Sequence, residues 1–217
     1  MDPGTTVDRG GTWALVPLRG LEDAKTRLGG ELDPEERFEL VVEMATRTLA
    51  AARDARGLAG TVLVTADPAA ASLAEDLGAR TIVQRLPGLN AAIREARGVA
   101  LEHGASAILV LPIDLPAITP DAIEALLGEA DANGEPGRPL VLAVPDRHGT
   151  GTNALFVAPP GAIEPAFGEG SFAAHRAAAE AVDAVFVRHE GPLTLDVDTA
   201  ADLLAADAAG IGGRGAA

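Results

Sequence analysis

The sequence predicts a single-domain α/β protein, a three-layer sandwich around a mostly parallel sheet. Three observations carry the layered α/β reading. Short runs rich in Val, Ile and Leu alternate with Ala- and Leu-rich helical stretches along most of the chain. The apolar runs lack a polar face, as expected of strands covered by helices on both sides. Acid–proline or threonine–proline pairs stand at the start of several helical stretches, where a capping side chain and a pre-set φ are favourable.

The elements follow in order. Trp13–Val16 reads as a buried first strand that breaks into a loop carrying Arg19, Lys25 and Arg27. Asp33-Pro34-Glu35-Glu36 opens a helix that places Phe38, Val41, Val42, Ala45 and Leu49 on one face. Thr61–Thr65 is the second strand, Asp67-Pro68 the start of the second helix, and Thr81–Gln84 the third strand. A helix over Leu89–His103 leads to the strand Ala107–Leu111, and Thr119-Pro120 opens the next helix. Strands at Leu140–Val144, Ala154–Val157 and Ala184–Val187 complete the sheet, with helices at Phe172–Val182 and Thr199–Ala206. Residues 12–207 form the expected domain. Residues 1–11 and the glycine-rich tail 208–217 are expected to be disordered. In open sheets of this kind ligands bind beyond the carboxyl ends of the strands, so chemistry is sought there.

Composition narrows the classes. With 217 residues and 47% apolar content the chain can bury a substantial core, yet aromatics make up only 3%, so that core must be aliphatic. There is no cysteine, which excludes disulfides, thiolate chemistry and cysteine-held zinc. No apolar run reaches the length of a membrane helix, and the N-terminal residues lack the apolar stretch of a signal peptide. The expected compartment is the cytoplasm. The net charge of −15 argues against a nucleic-acid partner. The same charge means that an anionic substrate needs local cations, from basic side chains, a metal ion, or both.

Against that acidic background the single lysine, Lys25, stands out, flanked by Arg19 and Arg27. A loop leaving a buried strand with these cations is suited to phosphates; its simpler reading is a solvated turn. Leu109-Val110-Leu111-Pro112-Ile113-Asp114 is a buried strand ending in an acid, which is costly unless paired or bound to a cation. Asp114 is therefore a candidate metal ligand, or a turn-holding Asp before Pro116. Asp196 and Asp198 lie two apart, so an extended backbone points both the same way and they could share a cation such as magnesium or manganese. Asp198 also suits the cap of a helix from Thr199. The loop His148–Asn153 and the helix start at Gly168-Glu169-Gly170-Ser171 are candidate anion sites, with ordinary capping as the alternative for Ser171. No Walker A motif, dinucleotide glycine fingerprint, serine elbow or zinc-type histidine spacing is present.

Taken in order, Val16-Pro17-Leu18-Arg19 with Ala24-Lys25-Thr26-Arg27-Leu28, Gly88-Leu89-Asn90, Asp114-Leu115-Pro116, Gly151-Thr152-Asn153-Ala154-Leu155, Gly168-Glu169-Gly170-Ser171-Phe172 and Asp196-Val197-Asp198-Thr199 resemble the CofC/FbiD family. These are the 2-phospho-L-lactate or phosphoenolpyruvate guanylyltransferases of coenzyme F-420 biosynthesis. The resemblance spans Trp13 to Asp207. It implies a nucleotidyltransferase fold, GTP as co-substrate, Mg2+ or Mn2+, and a phosphorylated three-carbon acid as acceptor. Carried over, Leu18, Arg19, Lys25 and Arg27 would bind the nucleotide phosphates, with Lys25 and Asp114 catalytic. Thr65, Asp67, Gly88 and Asn90 would lie near the base or ribose. Thr152, Gly168 and Ser171 would bind the phospho-acid, and Asp114, Asp196 and Asp198 the metal. Arg19 stands where many members carry lysine, which keeps the charge. The rival readings are a molybdenum-cofactor or sugar-phosphate nucleotidyltransferase of the same fold, and a non-catalytic nucleotide-binding scaffold. The resemblance leaves the acceptor open among similar phospho-acids, and the oligomeric state open, a homodimer included.

Overall fold

The computed structural model describes residues 11–21, 30, 32–197, 199, 202 and 204. Among these, seven strands form one sheet: β1 Thr12–Pro17, β2 Leu58–Thr65, β3 Arg80–Val83, β4 Ala107–Val110, β5 Leu140–Pro145, β6 Thr152–Ala158 and β7 Val185–Arg188. Five helices connect them: α1 Pro34–Asp54, α2 Pro68–Asp76, α3 Leu89–Glu102, α4 Pro120–Asn133 and α5 Ser171–Ala181. The caps behave as their residue types require. Asp33 and Glu36 form a reciprocal capping box on α1, and the Asp67 and Thr119 side chains accept backbone N–H bonds at the starts of α2 and α4.

The sheet order is β3-β2-β1-β4-β6-β5-β7. β1, β2, β3 and β4 pair in parallel, as do β5 and β7; β6 runs antiparallel to both β4 and β5. The reversal has a simple cause. Only residues 146–151 separate β5 from β6, too few for the crossover a parallel neighbour needs. The three-layer, mostly parallel prediction holds, with this one strand inverted.

Two aliphatic clusters cover the two faces. Val41, Ala45 and Leu49 of α1, Ala70 and Ala74 of α2, and Ile123 and Leu126 of α4 pack on one. Ala92, Ile93 and Ala96 of α3 with Phe172 and Ala179 of α5 pack on the other. Phe38, expected on the buried face of α1, is 38% exposed, and Met44 takes the inward position instead. Met44 packs on Val197, which fixes α1 against the acidic segment near the C-terminal end of the domain. Of the expected helix over 199–206 only residues 199, 202 and 204 are described; Thr199 lies in a bend and 202 and 204 are helical.

The chain steps from β1 to β2 and β3 in one direction, then returns to place β4 on the other side of β1. That reversal is the switch point at which the loops after β1 and β4 diverge and leave a crevice. Because β6 is inverted, its first residues, Thr152 and Asn153, also lie at this edge, opposite Pro145 at the end of β5.

Candidate active site

The first part of the site is a cavity of about 610 Å³ beyond the ends of β1, β2 and β3. Pro17, Leu18, Arg19, Ala66, Gln84, Arg85, Leu86, Pro87, Gly88, Leu89 and Ala92 line it. Leu18 is buried and its N–H donates to the Val64 carbonyl at 3.0 Å, which prolongs the β1–β2 pairing; Arg19 beside it is exposed on the cavity wall. The next cations of the expected phosphate loop, Lys25 and Arg27, lie outside the described residues.

The rim from Gln84 to Gly88 is held from two sides. The Gln84 amide donates to the carbonyls of Leu86 (2.6 Å) and Gly88 (3.1 Å), while the Glu95 carboxylate accepts the N–H groups of Arg85 and Leu86. Those bonds hold the Glu95 carboxyl below the usual carboxylate range. Gly88 takes φ 100° as it enters α3, a backbone state that a side chain would strain.

Of the four residues expected near base or ribose, only Gly88 lines the cavity. The others fix its walls. The Thr65 hydroxyl is buried and accepts the Asp67 N–H at 3.0 Å. The Asp67 carboxylate accepts the N–H of Leu21 (2.8 Å) and of Ala69 (2.8 Å). The Leu21 bond is the first cause of a lowered Asp67 pKa. Asp67 thus joins α2 to Leu21, in the segment after β1. The Asn90 side chain clasps the Phe167 backbone, donating to its carbonyl (3.0 Å) and accepting from its N–H (2.8 Å). It ties the cavity rim to the segment before α5.

The second part is the acidic centre. Asp114 follows β4, and its main-chain carbonyl accepts the Val197 N–H at 2.9 Å, which brings the segment carrying Asp196 alongside. Asn153 donates to the Leu193 carbonyl at 3.0 Å and reaches Asp196 Oδ1 at 3.5 Å. Asp114 and Asp196 are each half-buried. Hard carboxylate oxygens on a fixed backbone fit a magnesium or manganese ion better than a soft metal. Asp198, the third expected ligand, lies outside the described residues, among which no group of three metal-ligating side chains is assembled. Thr199 and Asp202 share the bonds that open the last helix: the Thr199 N–H and hydroxyl donate to the Asp202 carboxylate, and the Asp202 N–H donates to the Thr199 carbonyl. Thr199 and Asp202 thus make reciprocal bonds at this helix start, while the capping considered for Asp198 falls outside the described residues. Buried Asp202 also pairs with Arg147 of the β5–β6 loop.

The third part is the neutral, hydroxyl-bearing corner. The β5–β6 loop is wound around Asp146, whose carboxylate accepts the His148 and Thr150 N–H groups. It meets α5 through the Phe172 N–H, which donates to the Thr150 carbonyl at 3.1 Å. Strand alternation then sends Thr152 and Asn153 to opposite faces: Thr152 toward His175 of α5, Asn153 toward Asp196. Gly168, at φ 132°, turns the chain so that its carbonyl accepts the Ser171 N–H at 3.1 Å. Ser171 is the first residue of α5, and no capping side chain occupies that helix start.

Sequence reading missed Asn153, His175, Gln84 and Glu95. Asn153 lay inside a recognised motif. The five-residue return from α5's start to His175 on an Ala-rich apolar face was a signal for a buried, bonded imidazole. Gln84 and Glu95 bond only to backbone, and no local pattern announces that.

The family described as "Guanylyl transferase CofC like" matches residues 12–212. A phosphoenolpyruvate guanylyltransferase of Sphaerobacter thermophilus is 43% identical over 194 residues, covering 88% of this chain and 90% of the relative. That of Rubrobacter xylanophilus is 43% identical over 199 residues, covering 91% and 94%. Among solved structures, a 4-diphosphocytidyl-2C-methyl-D-erythritol synthase from Anaerococcus prevotii has a TM-score of 0.57 at 12% identity, covering 92% of this chain and 96% of that one. A CMP:2-keto-3-deoxy-manno-octonic acid synthetase solved with CTP has a TM-score of 0.57 at 16% identity, covering 92% and 98%. At such identities the structures show a shared fold alone; the sequence relatives go further. The chain belongs to the family of CofC-like guanylyl transferases.

Proposed function

We propose that this chain transfers GMP from GTP to phosphoenolpyruvate, with 2-phospho-L-lactate as the alternative acceptor, releasing pyrophosphate in the assembly of coenzyme F-420. One observation carries the reading. Along the sheet edge lie a cavity at β3-β2-β1, Asp114 after β4 with Asp196 alongside, and Thr152 at the start of β6 with Ser171 opening α5. That sequence supports an order of donor, charge-neutralising centre and acceptor. Both named relatives are phosphoenolpyruvate guanylyltransferases, which supports this acceptor.

The nucleotide occupies the cavity, its base on the Leu86–Leu89 rim and its phosphates toward Leu18 and Arg19. Lys25 and Arg27 complete the neutralisation of the phosphates that leave. Asp114, Asp196 and Asp198 would hold magnesium or manganese, which when bound supplies positive charge at the α-phosphate. Thr152, Ser171 and the Gly168 turn hold the acid so that its phosphate oxygen faces the α-phosphorus in line. That oxygen forms the new P–O bond as the bond to the β-phosphate breaks, and the electron pair leaves with pyrophosphate. A phosphate monoester is largely dianionic at neutral pH, with a second pKa of about 6, so no general base is required. The chain's work is positioning and charge neutralisation. A cytoplasmic site of action fits a GTP-consuming reaction.

The test is pyrophosphate release from the full chain with GTP and magnesium, adding phosphoenolpyruvate, 2-phospholactate or a phosphoglycerate in turn. The expected result is release with phosphoenolpyruvate above the other acids and with GTP above the other nucleoside triphosphates. No release with any acid overturns the reading.

A further inference from the structure

His175 is fully buried on α5, yet the proposed reaction assigns it no step. Burying a polar ring is unfavourable unless its nitrogens are bonded, and both are. Nε2 lies 3.0 Å from the Ala166 backbone nitrogen and Nδ1 lies 3.0 Å from the Thr152 hydroxyl. The Phe167 ring packs edge-on against the imidazole, centroid to centroid 5.0 Å at 69°.

This geometry fixes the proton. A backbone N–H can only donate, so Nε2 must present its lone pair to Ala166. Burial keeps the ring neutral, pushing its pKa down to about 4. A neutral ring has one proton, and with Nε2 bare that proton sits on Nδ1 and is donated to Thr152. The Thr152 oxygen therefore accepts, and its own proton is left for another partner; among the described residues it has none besides His175. The same imidazole secures Ala166, next to the Phe167 that Asn90 clasps from the other side. One side chain thus sets both the hydroxyl of Thr152 and the approach to the Gly168–Ser171 turn.

We propose that His175 is the positioning residue of the acceptor subsite, forcing the Thr152 hydroxyl to donate its proton to an anionic oxygen of the phospho-acid. The inference rests on the reading that Thr152 and Ser171 hold the acceptor. Its chemical consequence is selectivity for an acceptor oxygen that can only accept at that point, a phosphate or carboxylate oxygen rather than a hydroxyl donor.

Three variants separate the two nitrogens. His175→Asn keeps a donor near the Nδ1 position, His175→Gln keeps an acceptor near the Nε2 position, and His175→Phe keeps neither. The expected result is a rise of about tenfold in the acceptor KM for the Gln and Phe variants, the worth of one lost hydrogen bond to a charged group, with the GTP KM unchanged. His175→Asn should recover most of that rise, and adding His175→Phe to Thr152→Val should raise the acceptor KM no further. Equal impairment of all three variants, or a parallel rise in the GTP KM, overturns the proposal. A second measurement depends on neither turnover nor mutant folding. Nitrogen-15 NMR of the wild-type chain should show a neutral His175 with its proton on Nδ1 near neutral pH; a proton on Nε2 overturns the proposal. A wild-type chain that releases no pyrophosphate counts against the functional reading, while the NMR result still decides the tautomer.

Discussion

Replacing Asp67 separates a residue that touches the nucleotide from one that holds the loop around it. Its carboxylate accepts two backbone N–H groups, from Ala69 in the first turn of α2 and from Leu21 after β1, each at 2.8 Å. Removing an N-cap acid costs about 1 kcal/mol. Losing a hydrogen bond to a charged acceptor costs about 1.5 kcal/mol at the low end, suited to a half-exposed group. Asp67→Ala should therefore destabilise by about 2.5 kcal/mol, or about 5–10 °C in Tm for a chain of this size. Asp67→Asn is the informative partner. Asparagine caps helices as well as aspartate, but its single oxygen cannot replace two carboxylate oxygens, so about half the loss should remain. Because Leu21 immediately precedes the segment carrying Lys25, proposed to meet the nucleotide phosphates, both variants should raise the KM for GTP. They should raise the KM for any competing nucleoside triphosphate by the same factor, since no base contact is lost. Thermal unfolding and pyrophosphate-release kinetics with GTP and ATP read both quantities. An unchanged Tm in Asp67→Ala, or a selective loss of guanine preference, would refute the reasoning.

Three further predictions follow from the same geometry. Asp114→Asn and Asp196→Asn should each lower kcat by about 100-fold or more, with Tm held within a few degrees, because each removes a carboxylate charge proposed to hold the cation that offsets developing negative charge; activity of each variant against magnesium concentration checks this. Gln84→Ala frees the carbonyls of Leu86 and Gly88 and should raise the GTP KM about tenfold while leaving the acceptor KM unchanged, as steady-state kinetics will show. For His175 the folded pKa is depressed by burial to about 4 against 6.5, and the groups bonded or packed on it, Thr152, Ala166 and Phe167, are uncharged. Below the unfolded value the unfolded chain binds the extra proton, so stability should fall as pH drops from about 6.5 to about 4, by up to about 3 kcal/mol. Denaturant melts across that range should show the slope in the wild type and a shallower one in His175→Phe.

Much of the fold was legible in the sequence because the aliphatic runs and proline-led helix starts are local signals. β2 begins at Leu58 rather than Thr61, since Gly60 pairs beneath the Trp13 ring, a contact a side chain there would crowd. The inversion of β6 could have been read from the short 146–151 spacing. Phe38 could not have been placed, because the same helical period admits Met44 as the inward residue once Val197 packs on it. Asp114 stood out because a carboxylate at the end of a buried strand needs a reason, and Asp196 because of its two-residue spacing from Asp198. Thr65, Asp67 and Asn90 stand behind the cavity lining, and their partners, the backbones of Asp67, of Leu21 and Ala69, and of Phe167, were not legible because they are generic or distant in sequence. A side chain that shapes a wall and one that meets a ligand look alike until the fold brings their partners together.

The opposed directions of Thr152 and Asn153 carry an evolutionary constraint. Adjacent residues on a strand face opposite ways, so shifting the register of β6 by one position would exchange the hydroxyl facing α5 with the amide facing the acids. An insertion or deletion of one residue between Asp146 and Gly151 that was passed into the strand would therefore disable both halves of the site at once. A change of acceptor would have a safer route in substitutions at the α5 entrance, and the length of this hairpin should vary less than the identity of the residues that border it.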